Sequence, residues 1–409
     1  MSACRLCGAP LTRVVADLGA TPLANSYLSA EQLHAMEPSY PLCALVCGTC
    51  FLVQLEAFAT PGDIFSDYAY FSSYSDSLLE HSRAFAEMMT ARLALGPADR
   101  VVEIASNDGY LLQYFAERGV DVLGVEPAAN VAQEAVRKGI PTTVQFFGTE
   151  TARAVAAMGP RPRLIVANNV MAHTPHLNDF IAGLAILLAP GGTLTVEVHH
   201  LLSLMTRHQF DTIYHEHFQY FSLGTARDAL ARHGLKVVDA EEIRTQGGSL
   251  RVVACHAGDN GQTESPRVAA LLAREQEAGL RDLDRYAAFG DEVRRIKLDL
   301  LDFLVTARKA GKTVVCYGAA AKGNTLLNYC GIDGDLVAAA VDRSPHKQGR
   351  SLPGSRIPIY HPDRVAEMKP DYLLLLPWNL REEIIGQMAH IRDWGGRFVV
   401  AVPELQVFS

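Results

Sequence analysis

The stretch Phe210-Asp211-Thr212-Ile213-Tyr214-His215-Glu216-His217-Phe218-Gln219-Tyr220-Phe221-Ser222 carries the densest set of proton-handling side chains in the sequence. Two histidines, a glutamate and two tyrosines fall within seven residues, Tyr214 to Tyr220. A histidine takes a proton near neutrality because its unperturbed pKa is about 6.5. A carboxylate or phenol beside it can aim the ring or donate to a developing negative charge. The competing reading is a polar loop with hydrogen-bonded core histidines. Spacing alone does not choose between the histidines. A helical turn would put Tyr214 and His217 on one face, and an extended chain would put His215 beside His217. A metal held by His215 and His217 is not expected, because His-Glu-His lacks the i, i+4 spacing of H-E-x-x-H.

A second kind of chemistry sits near the N-terminus. Cys4-Arg5-Leu6-Cys7 and Cys47-Gly48-Thr49-Cys50 are two C-x2-C knuckles separated by 39 residues. Four thiolates in two close pairs suit tetrahedral zinc, and a four-thiolate site is closed, hence structural. Cys43 is a competing ligand without a C-x2-C partner. The metal would hold together a segment of about 65 residues that has little core of its own.

These groups need elements to position them. Arg100 to Ala105 reads as a buried strand running into the tight turn Ser106-Asn107-Asp108-Gly109. A helix from Tyr110 to Arg118, a strand Val122 to Val125 ending in Glu126-Pro127, a helix Asn130 to Lys138 and a strand Arg163 to Ala167 follow. Thr193 to Val198 is a further strand, and Leu235 to Ile243 with Ser249 to Ala257 read as a closing antiparallel hairpin. This alternation gives a parallel sheet with helices on both faces, an α/β class. Ligands of such sheets bind outside the carboxyl ends of the strands. Glu103, Ala105, Asn107 and Asp108 then approach the ligand at the first turn, and Glu126 is placed to bond a ribose diol. The turn has one glycine where a dinucleotide site wants three, and Asp108 puts a carboxylate where a pyrophosphate would go. A cationic ligand without phosphates, S-adenosylmethionine (SAM), fits better than NAD. Asn168, Asn169 and His173 follow the next strand and face the same crevice, where they could hold the methionine portion or the acceptor. Upstream, Asp67-Tyr68-Ala69-Tyr70-Phe71-Ser72-Ser73-Tyr74 reads as a packed linker or as a lid bringing Tyr70, Phe71 and Ser73 to the cofactor. Ser75 or Ser77 caps a helix running from Leu78 into Leu93.

From Pro266 to Ala310 the pattern is that of long helices. Thr313 to Gly318 is then a buried strand feeding Ala319-Ala320-Ala321-Lys322-Gly323-Asn324-Thr325, a small-residue turn opening a helix. Its backbone N–H groups, from Gly318 onward, with Lys322 and Asn324 close by, could hold a pyrophosphate; plain strand-to-helix packing is the alternative. Asp342 at the end of the strand Val337 to Val341 could meet a base or ribose. Trp378 and Asn379 end the strand beginning at Tyr372 and face the same crevice.

Length and charge bound the class. The 409 residues suggest two to three domains. A net charge of −8 argues against a general nucleic-acid binder. The start lacks a basic and then apolar leader, so no secretory signal is expected. No apolar run reaches the roughly 18 residues of a membrane span. A cytoplasmic protein with free or metal-bound cysteines is expected.

Taken in order, the knuckles, the Asp67–Ser73 segment, Glu103-Ile104-Ala105-Ser106-Asn107-Asp108-Gly109, Asn168-Asn169-Val170-Met171-Ala172-His173, Tyr214-His215-Glu216-His217-Phe218 and Gly318 to Thr325 resemble the SAM-dependent sugar 3-C-methyltransferases. These act on nucleotide-activated deoxysugars of the tetronitrose, mycarose and kijanose type. The resemblance spans essentially the whole chain. It implies a zinc-binding N-terminal domain (1–66), a class I SAM methyltransferase domain, Rossmann-like (67–260), and a C-terminal Rossmann-like α/β domain that holds the nucleotide-sugar (261–409). It also implies a dTDP-linked 4-keto-6-deoxyhexose as acceptor. By matching position, Tyr214 and His217 are the catalytic pair with Glu216 nearby, and His173 and Tyr68 line the sugar. Gly247-Gly248-Ser249 is similar to a loop near the reaction centre. C3 of such a sugar lies alpha to the carbonyl, so a base must remove its proton and donors must meet the charge on the C4 oxygen. The resemblance favours His217 as that base, Glu216 as its orienter or a ligand contact, and Tyr214 or His173 as donors. A monomer is expected, since three domains already bury both sites. The alternatives are an NAD-dependent nucleotide-sugar oxidoreductase and a noncatalytic zinc-bearing scaffold.

Overall fold

The computed structural model describes residues 2–60, 62 and 71–409 of the chain. Tyr68 and Tyr70 lie outside the described residues. Three sheets organise the rest. The first contains β1 (Arg13–Thr21), β2 (Tyr40–Val46) and β3 (Val53–Leu55), antiparallel in that order, with β9 (Gln219–Tyr220) added at the β3 edge. This N-terminal module has more core than its sequence suggests. Val15, Leu42, Ala44, Val46, Leu52 and Val53 are all buried. Their alternation along β1 and β2 puts one face of the ribbon inward.

The second sheet has seven strands: β4 (Arg100–Ile104), β5 (Asp121–Val125), β6 (Thr142–Thr143), β7 (Leu164–Asn168), β8 (Thr193–His199), β10 (Leu235–Ile243) and β11 (Ser249–His256). Their order is β10-β11-β8-β7-β4-β5-β6. All neighbours are parallel except around β11, which runs antiparallel to both β8 and β10. Continuous apolar runs such as Leu164-Ile165-Val166-Ala167 form these central strands because both faces are covered. The anticipated hairpin is present. The helix expected over 110–118 is shorter, Leu112–Ala116, and neither β6 nor the helix Thr149–Ala157 was anticipated. Ser75 caps the helix Asp76–Leu93 by accepting from the Leu78 N–H at 3.3 Å.

The third sheet holds β12 (Val314–Tyr317), β13 (Ala339–Val341), β14 (Ile359–Tyr360), β15 (Tyr372–Leu375), β16 (Arg397–Val400) and an antiparallel edge strand β17 (Gln406–Phe408). Its order, β14-β13-β12-β15-β16-β17, is again that of an open parallel sheet. In both parallel sheets the chain reverses its direction of travel beside the first strand, at β4/β7 and β12/β15. A crevice opens at such switch points. Two helices, Pro266–Glu277 and Leu283–Lys309, link the second sheet to the third, and the longer one packs on β1. Among the described residues no helix is long and apolar enough to cross a membrane.

Candidate active site

At the carboxyl end of β4 the backbone is held in a costly conformation. Ala105 and Asn107 have φ of 57° and 50°, and Asn169, after β7, has φ of 53°. Non-glycine residues in this region cost about 1–3 kcal/mol each and cluster at ligand sites. Glu126 fixes the turn: its Oε2 accepts from Asn107 N–H and its Oε1 from Ala128 N–H, both at 2.9 Å. Each oxygen keeps a lone pair for a ligand hydroxyl. Burial pushes the Glu126 carboxyl up, against the pull of those two donors. Ala105, Asn107, Glu126, Asn168 and Asn169 line one cavity of about 1340 Å³. Among the described residues the buried Asn168 Oδ1 has no hydrogen-bond partner, so it is a waiting acceptor. Acceptors without a phosphate cradle fit a ligand carrying a sulfonium, an ammonium and a ribose diol. Glu126 would hold the ribose and Asn168 the methionine end.

Phe71 also lines this cavity. Ser73 does not; its N–H and Oγ are held by Asp108 and Lys138. Asp108 is likewise turned away, paired with Lys138 at 3.0 Å. Glu103 is buried beneath the turn, its carboxyl pushed well up by burial and by Glu126 and Asp108.

The stretch 210–222 is neither helix nor strand at its centre. It makes a 3-10 turn, Phe210–Thr212, and then a tight turn closed by His217 N–H donating to the Tyr214 carbonyl at 2.9 Å. That turn sets the Tyr214 and His217 rings 4.0 Å apart, and the His173 ring lies 4.8 Å from His217. His217 Nδ1 donates to the Thr212 carbonyl at 2.8 Å. The tautomer is thereby set, and the Nε2 lone pair is left as the basic site. Protein encloses the ring, but part of it remains accessible from the cavity. Burial, and then His173, hold the imidazole well below its ordinary range. Glu216 is buried, accepts from Asn25 Nδ2 at 2.6 Å, and is pushed up to about 7 by burial. His215 faces elsewhere, bonded to the Pro41 carbonyl at 3.1 Å.

The third sheet supplies the facing wall. Lys322 lines the cavity; Asn379 Oδ1 accepts from its Nζ at 2.8 Å and the Trp378 ring lies 4.6 Å from it. Trp378 Nε1 donates to Asp211 Oδ2 at 2.6 Å. Gly318, at φ 89°, lies where a Cβ would fall 2.5 Å from Pro377 Cδ, so glycine is required there by packing. Asp342 accepts from Ala319 N–H at 2.7 Å and Ser344 N–H at 2.8 Å, and is not among the cavity-lining residues. Asn324 Nδ2 donates to the Ala24 carbonyl at 2.6 Å, tying the N-terminal module to this wall.

Sequence reasoning missed several residues that join these parts. Tyr27 OH lies 2.5 Å from the Ala319 carbonyl and 3.1 Å from Asn25 Oδ1, so Asn25 and Tyr27 connect Glu216 to the third sheet. Gln219 Nε2 donates to the Met171 and Thr174 carbonyls at 2.7 and 2.8 Å and shapes the turn that carries His173. His199, at the end of β8, and Lys347 and Arg350 also line the cavity. Strand-end position could have flagged His199; nothing local distinguishes Asn25 or Tyr27.

The cysteine knuckles converge as expected. The Sγ atoms of Cys4, Cys7, Cys47 and Cys50 lie within 4.8 Å of one another, and Cys43 is outside the cluster. Tetrahedral zinc with bonds of about 2.3 Å requires such spacing. The cluster reaches the active loop directly. Gln54 Nε2 donates to Cys4 Sγ, and the Arg5 guanidinium donates to the Phe218 carbonyl at 2.9 Å, next to His217.

A closed thiolate site, a parallel sheet with an acid-clamped first turn, and an imidazole set beside a tyrosine in the adjoining cavity define a zinc-bearing, SAM-dependent methyltransferase. Three family models match the chain in order: a zinc binding domain over residues 4–65, a methyltransferase domain over 78–240 and a C-methyltransferase C-terminal domain over 244–403. The C-methyltransferase NovU of Streptomyces niveus is 38% identical over 406 residues, 99% of this chain and 96% of that protein. The chain belongs to this family of C-methyltransferases. Solved structures give partial likenesses. Magnesium protoporphyrin IX methyltransferase of Synechocystis PCC 6803 with bound SAM is 17% identical over 47% of this chain and 88% of that one, with a TM-score of 0.33. The PH0226 protein of Pyrococcus horikoshii OT3 is 14% identical over 46% and 94%, with a TM-score of 0.37.

Proposed function

We propose that the protein methylates C3 of a dTDP-linked 4-keto-deoxysugar, with His217 as the base that forms the enolate. The observation that carries this reading is the single cavity. Glu126 and Asn168, Tyr214 and His217, and the cations Lys322, Lys347 and Arg350 all line it. A cavity of about 1340 Å³ exceeds the roughly 300–1,000 Å³ of an ordinary single-ligand pocket, as two ligands meeting at one centre require. SAM, when bound, supplies an electrophilic methyl group.

The chain's own residues do the rest. His217 Nε2 accepts the C3 proton, and its Nδ1–H bond to Thr212 keeps the ring oriented. Tyr214, tilted against that ring, positions the sugar and donates to the oxygen that gains charge. His173 lines the same wall of the sugar site. Glu216, held by Asn25, orients the loop or bonds a sugar hydroxyl. Lys347 and Arg350 offer cations to a diphosphate, and Lys322 belongs to the substrate wall, its ammonium held by Asn379 and Trp378, which do not line the cavity. A correctly placed base contributes about 10² to 10⁴ in rate.

The test is mass spectrometry of a panel of dTDP-4-keto-deoxysugars incubated with protein and SAM. A gain of one methyl group, placed on C3 by NMR, supports the reading. Methylation at an oxygen, or of none of the panel, removes it.

A further inference from the structure

Lys322 opens the helix Ala321–Cys330, where a lysine would ordinarily reach a phosphate at the helix start. Its surroundings are different. Nζ is tied to Asn379 Oδ1 and sits against the Trp378 ring, in the interior of the cavity. A Cβ at Gly247 would collide with that tryptophan, so the loop 245–248 lies directly on it. The same loop accepts from Gln209 Nε2 through the Gly247 carbonyl at 2.8 Å and places Gln246 on the cavity. Lys322 therefore shares a floor with His199, Gln246 and His217, and its charge helps hold both imidazoles down.

Two features mark this ammonium as waiting for an anion. It has three N–H donors, of which Asn379 takes one. Among the described residues no carboxylate lies within 4.0 Å of it; Asp211 acts only at longer range and is itself bonded to Trp378. Even half-buried, a charge without a close counter-charge carries a desolvation cost. The diphosphate has other cations to meet on the cavity lining, the exposed Arg350 and the half-buried Lys347, which already lies 3.6 Å from Asp342.

We infer that Lys322 meets the C4 oxygen of the sugar and carries the charge that forms there, rather than binding the diphosphate. The inference rests on the function proposed above. In the step it serves, the C3–H bond breaks and the proton goes to His217 Nε2. The C–H electron pair becomes the C3–C4 double bond, and the carbonyl π pair moves onto the C4 oxygen. A fixed ammonium at that oxygen stabilises the enolate without reorganisation. It also lowers the basicity of His217, which the gain in acidity at C3 offsets.

The step is read without SAM, as exchange of the C3 hydrogen for deuterium in heavy water at saturating sugar. Lys322→Met is expected to slow exchange about 10²- to 10³-fold with KM for the sugar unchanged, while SAM still binds by calorimetry. Lys322→Arg keeps the charge and is expected to recover at least part of that loss. Should Lys322→Met melt below the assay temperature, Lys322→Arg against wild type decides: slower exchange at unchanged KM supports the inference. Unchanged exchange at saturation with a raised KM would make Lys322 a diphosphate ligand and overturn it, as would no change in either quantity. Absence of exchange in the wild-type protein on every sugar would instead remove the proposed function.

Discussion

After β4 the chain turns through residues 105–109; after β12 it turns through residues 318–321. Each turn is clamped by an acid at the end of the neighbouring strand, Asn107 N–H on Glu126 at 2.9 Å and Ala319 N–H on Asp342 at 2.7 Å. The outcomes differ. Glu126 keeps lone pairs facing the cavity. Asp342, whose second oxygen takes Ser344 N–H as that of Glu126 takes Ala128 N–H, also has Lys347 at 3.6 Å and lies off the cavity. One acid lines the cavity; the other seals a turn and so fixes the helix that carries Lys322. The same acid-clamped strand–turn–helix unit thus lines the cavity in one sheet and serves as a rigid mount in the other, according to whether the cavity reaches the acid.

The N-terminal module holds the two units over one cavity through Asn25 to Glu216, Tyr27 to Ala319 and Asn324 to Ala24. Removing zinc has the largest expected effect, since such sites supply about 10–16 kcal/mol in zinc-finger peptides. Chelation is expected to abolish C3 exchange and restored zinc to recover it. Exchange that survives with no zinc by atomic absorption would detach the module from the site. Next in size, Glu126→Gln is expected to weaken SAM binding by calorimetry by about 1.5–3 kcal/mol, the worth of hydrogen bonds to a charged group. Asp342→Ala should leave SAM affinity unchanged and cost about 1–3 kcal/mol of stability through two orphaned N–H groups, read by denaturant titration. A fall in SAM affinity there would make the two acids alike.

The last effect is in pH. Burial, with Lys322 and His200, lowers His199 from 6.5 to about 3. Its unfolded form therefore binds a proton that its folded form refuses between those values. Stability is lost as pH falls below 6.5, and His199→Gln is expected to flatten that part of the curve. An unchanged slope would show that other groups govern it.

Much of this comparison was legible in sequence where the signal is local. The thiolate pairs are a spacing, the parallel strands are apolar runs, and Glu126 follows from its place at a strand end. What was hidden is long-range. The β3–β9 pairing joins Gln54 to Gln219, and the Trp378–Asp211 bond spans 167 positions. Asp342 occupies the strand-end place that Glu126 does, and only its neighbour Lys347 and its place off the cavity reveal the difference. The turn at Tyr214–His217 follows from backbone bonds that no side-chain pattern encodes. The first sheet escaped notice because a two-residue strand from elsewhere in the chain completes it.

The central claim is that His217 removes a proton from C3 of the sugar. It is tested most directly by incubating dTDP-4-keto-deoxysugars in heavy water without SAM and following C3 deuterium by mass spectrometry, in wild type and in His217→Ala. Exchange in the wild type that drops about 10² to 10⁴-fold in a variant with an unchanged melting temperature is the predicted result. Equal exchange in both proteins would contradict it.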